Sequence, residues 1–210
     1  MNVEELEARI KTMEGQVKTL QDIEEIKKLQ KAYGYYLQHG MADDLLDLFS
    51  DSPEATLLIA LGEFRGKKSM SRFFSKMDRN NPEFLHQVMQ LSGIVDIAPD
   101  GKTAQGRWYG FGASSLIKEK GVKQAWMNGV YENDYVKEDG KWKIMKIHWC
   151  MIFNAPFKEG WVDPSRQVEV EEENFLELGK SYEPDGPSEK TTYPSGFICP
   201  FHFKNPVTNR

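Results

Sequence analysis

The chain predicts an α+β fold in which a strongly bent antiparallel sheet and a helical lid enclose an apolar cone. Three observations predict it. Residues 1–50 carry apolar side chains at helical spacing, and residues 83–161 alternate apolar and polar with the period of a strand. Within that alternation Gly106, Gly110 and Gly112 remove side chains where a sheet bends sharply or is closely approached.

Val3, Leu6, Ile10, Met13, Val17 and Leu20 recur at spacings of three and four with Glu and Lys between them, the seam of a coiled coil. After Leu20 the phase slips, and Ile23, Ile26, Leu29, Tyr33 and Tyr36 restart a helical stripe. This predicts an arm over 1–21 and a domain helix over about 22–39, stopped by Gly40. The arm packs on another subunit or folds back on its own domain; the sequence leaves both open.

Asp43 or Asp44 caps a short helix reaching Phe49, which Asp51, Ser52 and Pro53 end. Residues 55–60 read as a short apolar strand, 62–68 as a turn, and 69–77 as a helix with Met70, Phe73 and Phe74 inward. The glycines at 62 and 66 stand too close together for a phosphate-binding GxxxxGK[ST] loop. Strands then follow over 84–97, 103–117, 125–137 and 142–153. Turns at PDGK (99–102) and EDGK (138–141) and a charged loop over 118–123 connect them, which makes a meander.

Beyond Pro156 the composition shifts. Pro164, Pro184, Pro187, Pro194, Pro200 and Pro206 and an acidic run at 169–173 predict an irregular tail. Tyr193, Phe197, Ile198, Phe201 and Phe203 are too apolar to leave in water, so the tail is expected to wrap the domain or a neighbouring subunit. The organisation is therefore an arm over 1–21, one domain over 22–161 and an extension over 162–210.

At 210 residues and 40% hydrophobic side chains the chain can bury roughly 70% of its unfolded surface in one domain. A net charge of −5 with scattered Lys and Arg offers no basic face for nucleic acid. No run approaches the roughly 20 apolar residues of a membrane span. Met1 opens onto an acidic helix without an apolar signal core, and Cys150 and Cys199 lie far apart without CxxC spacing, which predicts a reducing cytoplasm. The four His are singletons without HxH or HExxH, so no metal is expected. GxSxG and strand-borne GxGxxG are absent too. What remains is proton transfer without a cofactor.

Three stretches, IKKLQKAYGYYLQHGMADDLLDLF (26–49), IAPDGKTAQGRW (97–108) and GVYENDYVKEDGKWKIMKIHW (129–149), with His86 opening a long strand, resemble the SnoaL-like branch of the nuclear transport factor 2 superfamily. The resemblance covers about 22–161. It implies a cone of three helices against a curved sheet, and a range of activities from dehydratase, isomerase, cyclase and dehydrohalogenase to carbon–carbon lyase, beside members that only bind. In dehydratases of this superfamily an Asp ending the first domain helix pairs with a His at a strand start. By the resemblance His86 matches the His and Tyr33 matches a Tyr five residues before the Asp, but Gln38 stands where the Asp would be. Gln can neither take a proton nor hold an imidazolium by charge, so the usual dyad is broken.

The candidate catalytic residues are His86, Tyr33, Tyr109 and His148; the candidate substrate-binding residues are Gln38, Lys146, Trp108, Phe111, Glu132 and Trp149. Alternation places His86 on one face with Val88 and Gln90, as an acid–base group or as a structural His bonded to a carbonyl. Tyrosine hydroxyls, here Tyr33 and Tyr109, can hold an oxyanion in a dry pocket. Phe111 shares a strand face with Tyr109, opposite Trp108. His148 and Lys146 are in phase with Trp142, Ile144 and Cys150. If that face lines the cone they hold a phenolate or carboxylate; otherwise Trp149, Met151 and Phe153 line it. Glu132, in phase with Asp134, is a candidate to replace the missing Asp as orienter of His86.

The functional expectation is a lyase or isomerase without cofactor, acting on a small apolar hydroxylated aromatic, polyketide-like or steroid-like molecule. Elimination, isomerisation and retro-aldol cleavage releasing formaldehyde are the reactions it admits, in a homo-oligomer, dimer or trimer. The alternative is a binding or scaffold protein that uses the cone as an oligomerisation platform.

Overall fold

The computed structural model describes residues 2–77, 84–118, 121–158, 160–162, 180–193 and 195–210. The helices are α1 (Val3–Gln38), α2 (Ala42–Asp47) and α3 (Gly66–Phe74). The strands are β1 (Thr56–Ile59), β2 (Gly62–Arg65), β3 (His86–Ile97), β4 (Thr103–Lys118), β5 (Gly121–Glu138) and β6 (Lys141–Pro156). One curved six-stranded sheet runs β2-β1-β6-β5-β4-β3, and the helices pack into its concave side. The sheet does not close on itself; β2 and β3 are its edges.

Arm and domain helix are one continuous α1. Asn2 opens it with a capping box, accepting from the Glu5 amide at 2.8 Å while Glu5 accepts from the Asn2 amide at 3.0 Å. The slip after Leu20 marks a change of surroundings rather than a break. Every described residue up to Gln21 is exposed, whereas Asp22, Ile26, Gln30, Tyr33 and Leu37 are buried. Asp22 begins the buried stripe by accepting from Lys137 and from Trp142 Nε1 at 3.0 Å. Burial pushes its carboxyl up, but these donors outweigh that and hold it below the usual range.

Three expectations need correction. The sheet is mixed, not purely antiparallel, because β1 runs parallel to β6. The cause is local: Ser50 donates its amide to the Ile144 carbonyl at 2.8 Å, the Ile144 amide donates to Leu48 at 2.8 Å, and the chain leaves α2 already aligned with β6. The predicted turn over 62–68 is β2 and the start of α3; Gly62 at φ 133° makes the tight hairpin with β1. The predicted loop over 118–123 is taken up by longer strands, β4 continuing to Lys118 and β5 starting at Gly121; residues 119–120 lie outside the described residues.

Two bulges in β6 decide which side chains face the helices. Tyr135 pairs with Ile144 but Asp134 with Lys146, so Met145 is an extra residue; Asn128 pairs with Phe153 but Gly129 with Met151, so Ile152 is another. Trp142 and Ile144 point inward, and after the first bulge Ile147, Trp149 and Met151 do so instead. Trp149 lies flat against β4 and β5 because two glycines make room: a Cβ on Gly110 would stand 2.3 Å from its ring and one on Gly129 2.6 Å.

The tail, described over 180–193 and 195–210, crosses the sheet's outer face. Gly186 bridges Glu63 of β2, the Tyr193 amide donates to Ile152 of β6 at 2.7 Å, Cys199 packs on Cys150 and Val130, and Phe201 stacks on Arg107 of β4 at 4.0 Å. The acidic run at 169–173, with Pro164 and Pro194, lies outside the described residues. No helix among the described residues is long and apolar enough to cross a membrane.

Candidate active site

The concave side of the sheet holds a cavity of about 320 Å³. Tyr33 and Leu37 of α1 form one wall, and Val88, Met127, Trp149 and Met151 form the sheet wall. Phe73 and Met77 close the α3 end, with Tyr182 of the tail packed on Phe73 at 5.3 Å beneath Lys76. The lining is mostly apolar, so each polar group in it stands out.

Five such groups bear on chemistry. His86, the first residue of β3, pairs in register with Ser114 of β4, and both line the cavity. No hydrogen bond joins either imidazole nitrogen to another described residue. Burial in apolar surroundings pulls the His86 pKa down to about 4, which leaves the ring neutral and able to accept a proton at pH 7. Among the described residues Ser114 Oγ is buried without a partner, at 4% residue exposure, and Asn154 Oδ1 likewise, at 5%. Tyr33 and Tyr131 meet edge to face at 6.4 Å, and burial raises both phenols, Tyr33 further through its neighbour Tyr131. They are neutral O–H donors. A buried polar atom left unpaired costs on the order of 1–3 kcal/mol, so a cavity keeping several is shaped for a polar ligand group to complete them.

Below the cavity a separate network fills the cone. Trp108 Nε1 donates to Tyr135 Oη at 3.0 Å, Tyr135 donates to Gln30 Oε1 at 2.8 Å, and Asn133 donates to the same oxygen at 3.0 Å. Trp108 is therefore a core residue tied to β5 and α1, outside the cavity lining.

Of the sequence candidates, the structure brings His86, Tyr33 and Trp149 together around the cavity. It takes the others elsewhere. Tyr109 is 58% exposed on the outer face of β4, and Phe111, on that face, stacks on Trp126 at 5.6 Å. Glu132 pairs with Arg107 at 2.6 Å and with His202, so it does not orient His86. Lys146 and His148 follow the Met145 bulge onto the outer face, where His148 Nε2 meets Glu189 Oε2 at 2.8 Å. Gln38 is half-buried at the end of α1 and outside the lining; Leu37, one residue or 100° away, takes the inward place. Ser114, Tyr131, Asn154 and Tyr182 escaped the sequence reading. Tyr131 was findable, since alternation puts it opposite Glu132; Asn154 was hidden by the bulge at Ile152.

Residues 18–148 match the sequence model of the SnoaL-like domain. Among solved structures, the fold is similar to a protein of unknown function from Mycobacterium tuberculosis, at TM-score 0.59 and 14% identity over 81% of this chain and 95% of that one. It is also similar to a hexachlorocyclohexane dehydrochlorinase, LinA type 3, from Novosphingobium barchaimii, at 0.58 and 14% over 69% and 96%. A scytalone-dehydratase-like protein from Novosphingobium aromaticivorans aligns at 0.57 and 16% over 69% and 93%.

Proposed function

The chain belongs to the SnoaL-like domain family, and from that premise we propose that it is a lyase or isomerase that needs no cofactor and works by general acid–base catalysis in the cavity. The observation that carries the reading is His86, held neutral by burial and with no partner among the described residues, facing an apolar cavity beside the unpartnered Ser114 and Asn154 oxygens. The similar solved structures named for a dehydrochlorinase and for scytalone dehydratase support elimination as the reaction class.

The substrate is a small, largely apolar, hydroxylated molecule, aromatic, polyketide-like or steroid-like, in keeping with the aromatic lining. His86 accepts a proton from the substrate, from carbon in an elimination or isomerisation, or from a hydroxyl in a retro-aldol cleavage releasing formaldehyde. Tyr33 and Tyr131 donate to the oxygen on which negative charge grows. Asn154 Oδ1 needs a donor, which a substrate hydroxyl supplies; Ser114 Oγ can give or accept beside His86. The imidazolium then returns its proton to the leaving group or to carbon, and no group is consumed.

No carboxylate pairs with His86 among the described residues, which also fits a cone that only binds. Turnover separates the two readings. Incubation with a panel of hydroxylated aromatic, steroid-like and polyketide-like compounds, followed by mass spectrometry, should show loss of water, loss of formaldehyde or a retention shift at constant mass, abolished in His86→Ala. Binding of the same compounds without any conversion would leave the binding reading standing. The exposed heptad seam of the first 20 residues is the surface through which the arm pairs with a second copy, making a homo-oligomer.

A further inference from the structure

The sequence offers no metal-binding spacing, yet the fold collects one on the side of the sheet away from the cavity. His148 Nε2, Cys150 Sγ and Cys199 Sγ lie within 4.8 Å of one another. Cys150 Sγ is 3.4 Å from the imidazole nitrogen and 2.7 Å from Cys199 Sγ, and Glu189 Oε2 is 2.8 Å from the same nitrogen. Two ligand types come from alternate positions of β6 and two from the tail, 41 and 49 residues further on. Both thiols are buried.

We infer that His148, Cys150 and Cys199, with the exposed Glu189 beside His148 turning in as the fourth ligand, form a tetrahedral zinc site that clamps the C-terminal tail onto the sheet. The donor set of two thiolates, an imidazole and a carboxylate is one that zinc takes, and four protein ligands leave no open position, as in a structural rather than a catalytic site. The requirement for a clamp is visible in the tail itself. Between Tyr182, which closes the cavity, and His202, which reaches Asp96 of β3 at 3.2 Å, the described residues of the tail have almost no regular structure. Among the described residues the buried apolar cluster beneath it is Val130, Cys150 and Cys199. Ordering such a segment carries an entropic cost, and a metal staple is a common addition to the scattered contacts that hold it.

The surroundings suit bound thiolates. Arg107 Nη1 and Nη2 both donate to the Cys199 carbonyl at 3.2 Å, placing a cation beside a cluster that would carry one net negative charge. The two sulfurs stand about 1 Å closer than zinc would hold them, since Zn–S bonds of about 2.3 Å set tetrahedral thiolates about 3.8 Å apart. Cys199 sits on an irregular segment, so rotation about its side chain opens the pair without moving a strand. The other bond these sulfurs can make, a disulfide, would leave His148 and Glu189 without a part in it.

The full chain, reduced with a phosphine and stripped with a chelator, is titrated with Co2+ and then with Zn2+. One equivalent of Co2+ should give thiolate-to-cobalt charge-transfer absorption and tetrahedral d–d bands, both displaced by Zn2+. Cys199→Ser and His148→Ala should weaken Zn2+ binding by at least 10-fold, and Zn2+ should raise the melting temperature of the wild type but not of these variants. Glu189→Gln, an exposed change that spares the fold, should shift the d–d bands. A reduced wild-type chain that gives no thiolate band with Co2+ overturns the inference. So does a chain whose mass, as isolated, is lower by two hydrogens and whose thiols pair again in air without taking up metal.

Discussion

His86 and Ser114 stand opposite one another on β3 and β4, both face the cavity, and neither side chain has a partner among the described residues. A sheet normally spends its inward positions on apolar residues, so two adjacent unpaired polar groups mark where a ligand must complete the hydrogen bonding. If His86 is the base, His86→Ala should lower kcat/KM by about 100- to 10,000-fold while leaving the far-ultraviolet circular dichroism spectrum unchanged. A loss below 10-fold would remove His86 from the mechanism.

Acid should destabilise the fold through the same residue. The imidazole takes up its proton near pH 6.5 in the unfolded chain but near pH 4 in the fold, so between these values the unfolded state binds more protons. The fold carries no penalty from His86 above pH 6.5 and loses stability progressively down to pH 4, by about 2 kcal/mol at pH 5. His86→Asn cannot take that proton, so the stability gap between wild type and variant should move in favour of the variant on going from pH 7.5 to pH 5. Urea unfolding at the two pH values measures it; an unchanged gap would mean that His86 is not buried as described.

Ser114→Ala should divide stability from function. The substitution deletes a buried oxygen that has no partner and leaves the Cβ in place, so unfolding free energy should rise or hold, by 0 to about 1 kcal/mol. Substrate affinity should fall, because the hydroxyl's only prospective partner is the ligand. A clear destabilisation would show that Ser114 is satisfied within the protein after all.

Most of the architecture was legible because it rests on local rules: the heptad seam up to Leu20, the alternation along β3 to β6 and the two DG turns all act over a few residues. His86 and Tyr33 were legible through family resemblance, and Trp149 as one of two open parities. Lys146, His148 and Asn154 were not, because each depends on whether one residue, Met145 or Ile152, is bulged out of the ladder. A one-residue bulge reverses every later side chain, and nothing in KIMKIHW announces it. The His148, Cys150, Glu189 and Cys199 cluster was hidden for a different reason: its members meet only when the tail has crossed the sheet.

The position of Trp149 depends on two missing side chains, which makes the cavity wall open to a steric test. Gly110 and Gly129 sit opposite each other on β4 and β5, and the Trp149 ring lies over both. A methyl group on Gly110 would stand 2.3 Å from the ring and 3.0 Å from Tyr131, with strand backbone on either side, so the ring must swing into the cavity. Gly110→Ala should therefore cost about 1–3 kcal/mol, the usual range for overpacking a well-filled core. It should also reduce the cavity and weaken binding of the larger members of the compound panel more than the smaller ones. Paired with Trp149→Phe, whose smaller ring relieves the overlap, Gly110→Ala should recover at least half of the lost stability in a double-mutant cycle. Additive losses in that cycle would place the Trp149 ring away from Gly110 and with it redraw the sheet wall of the cavity.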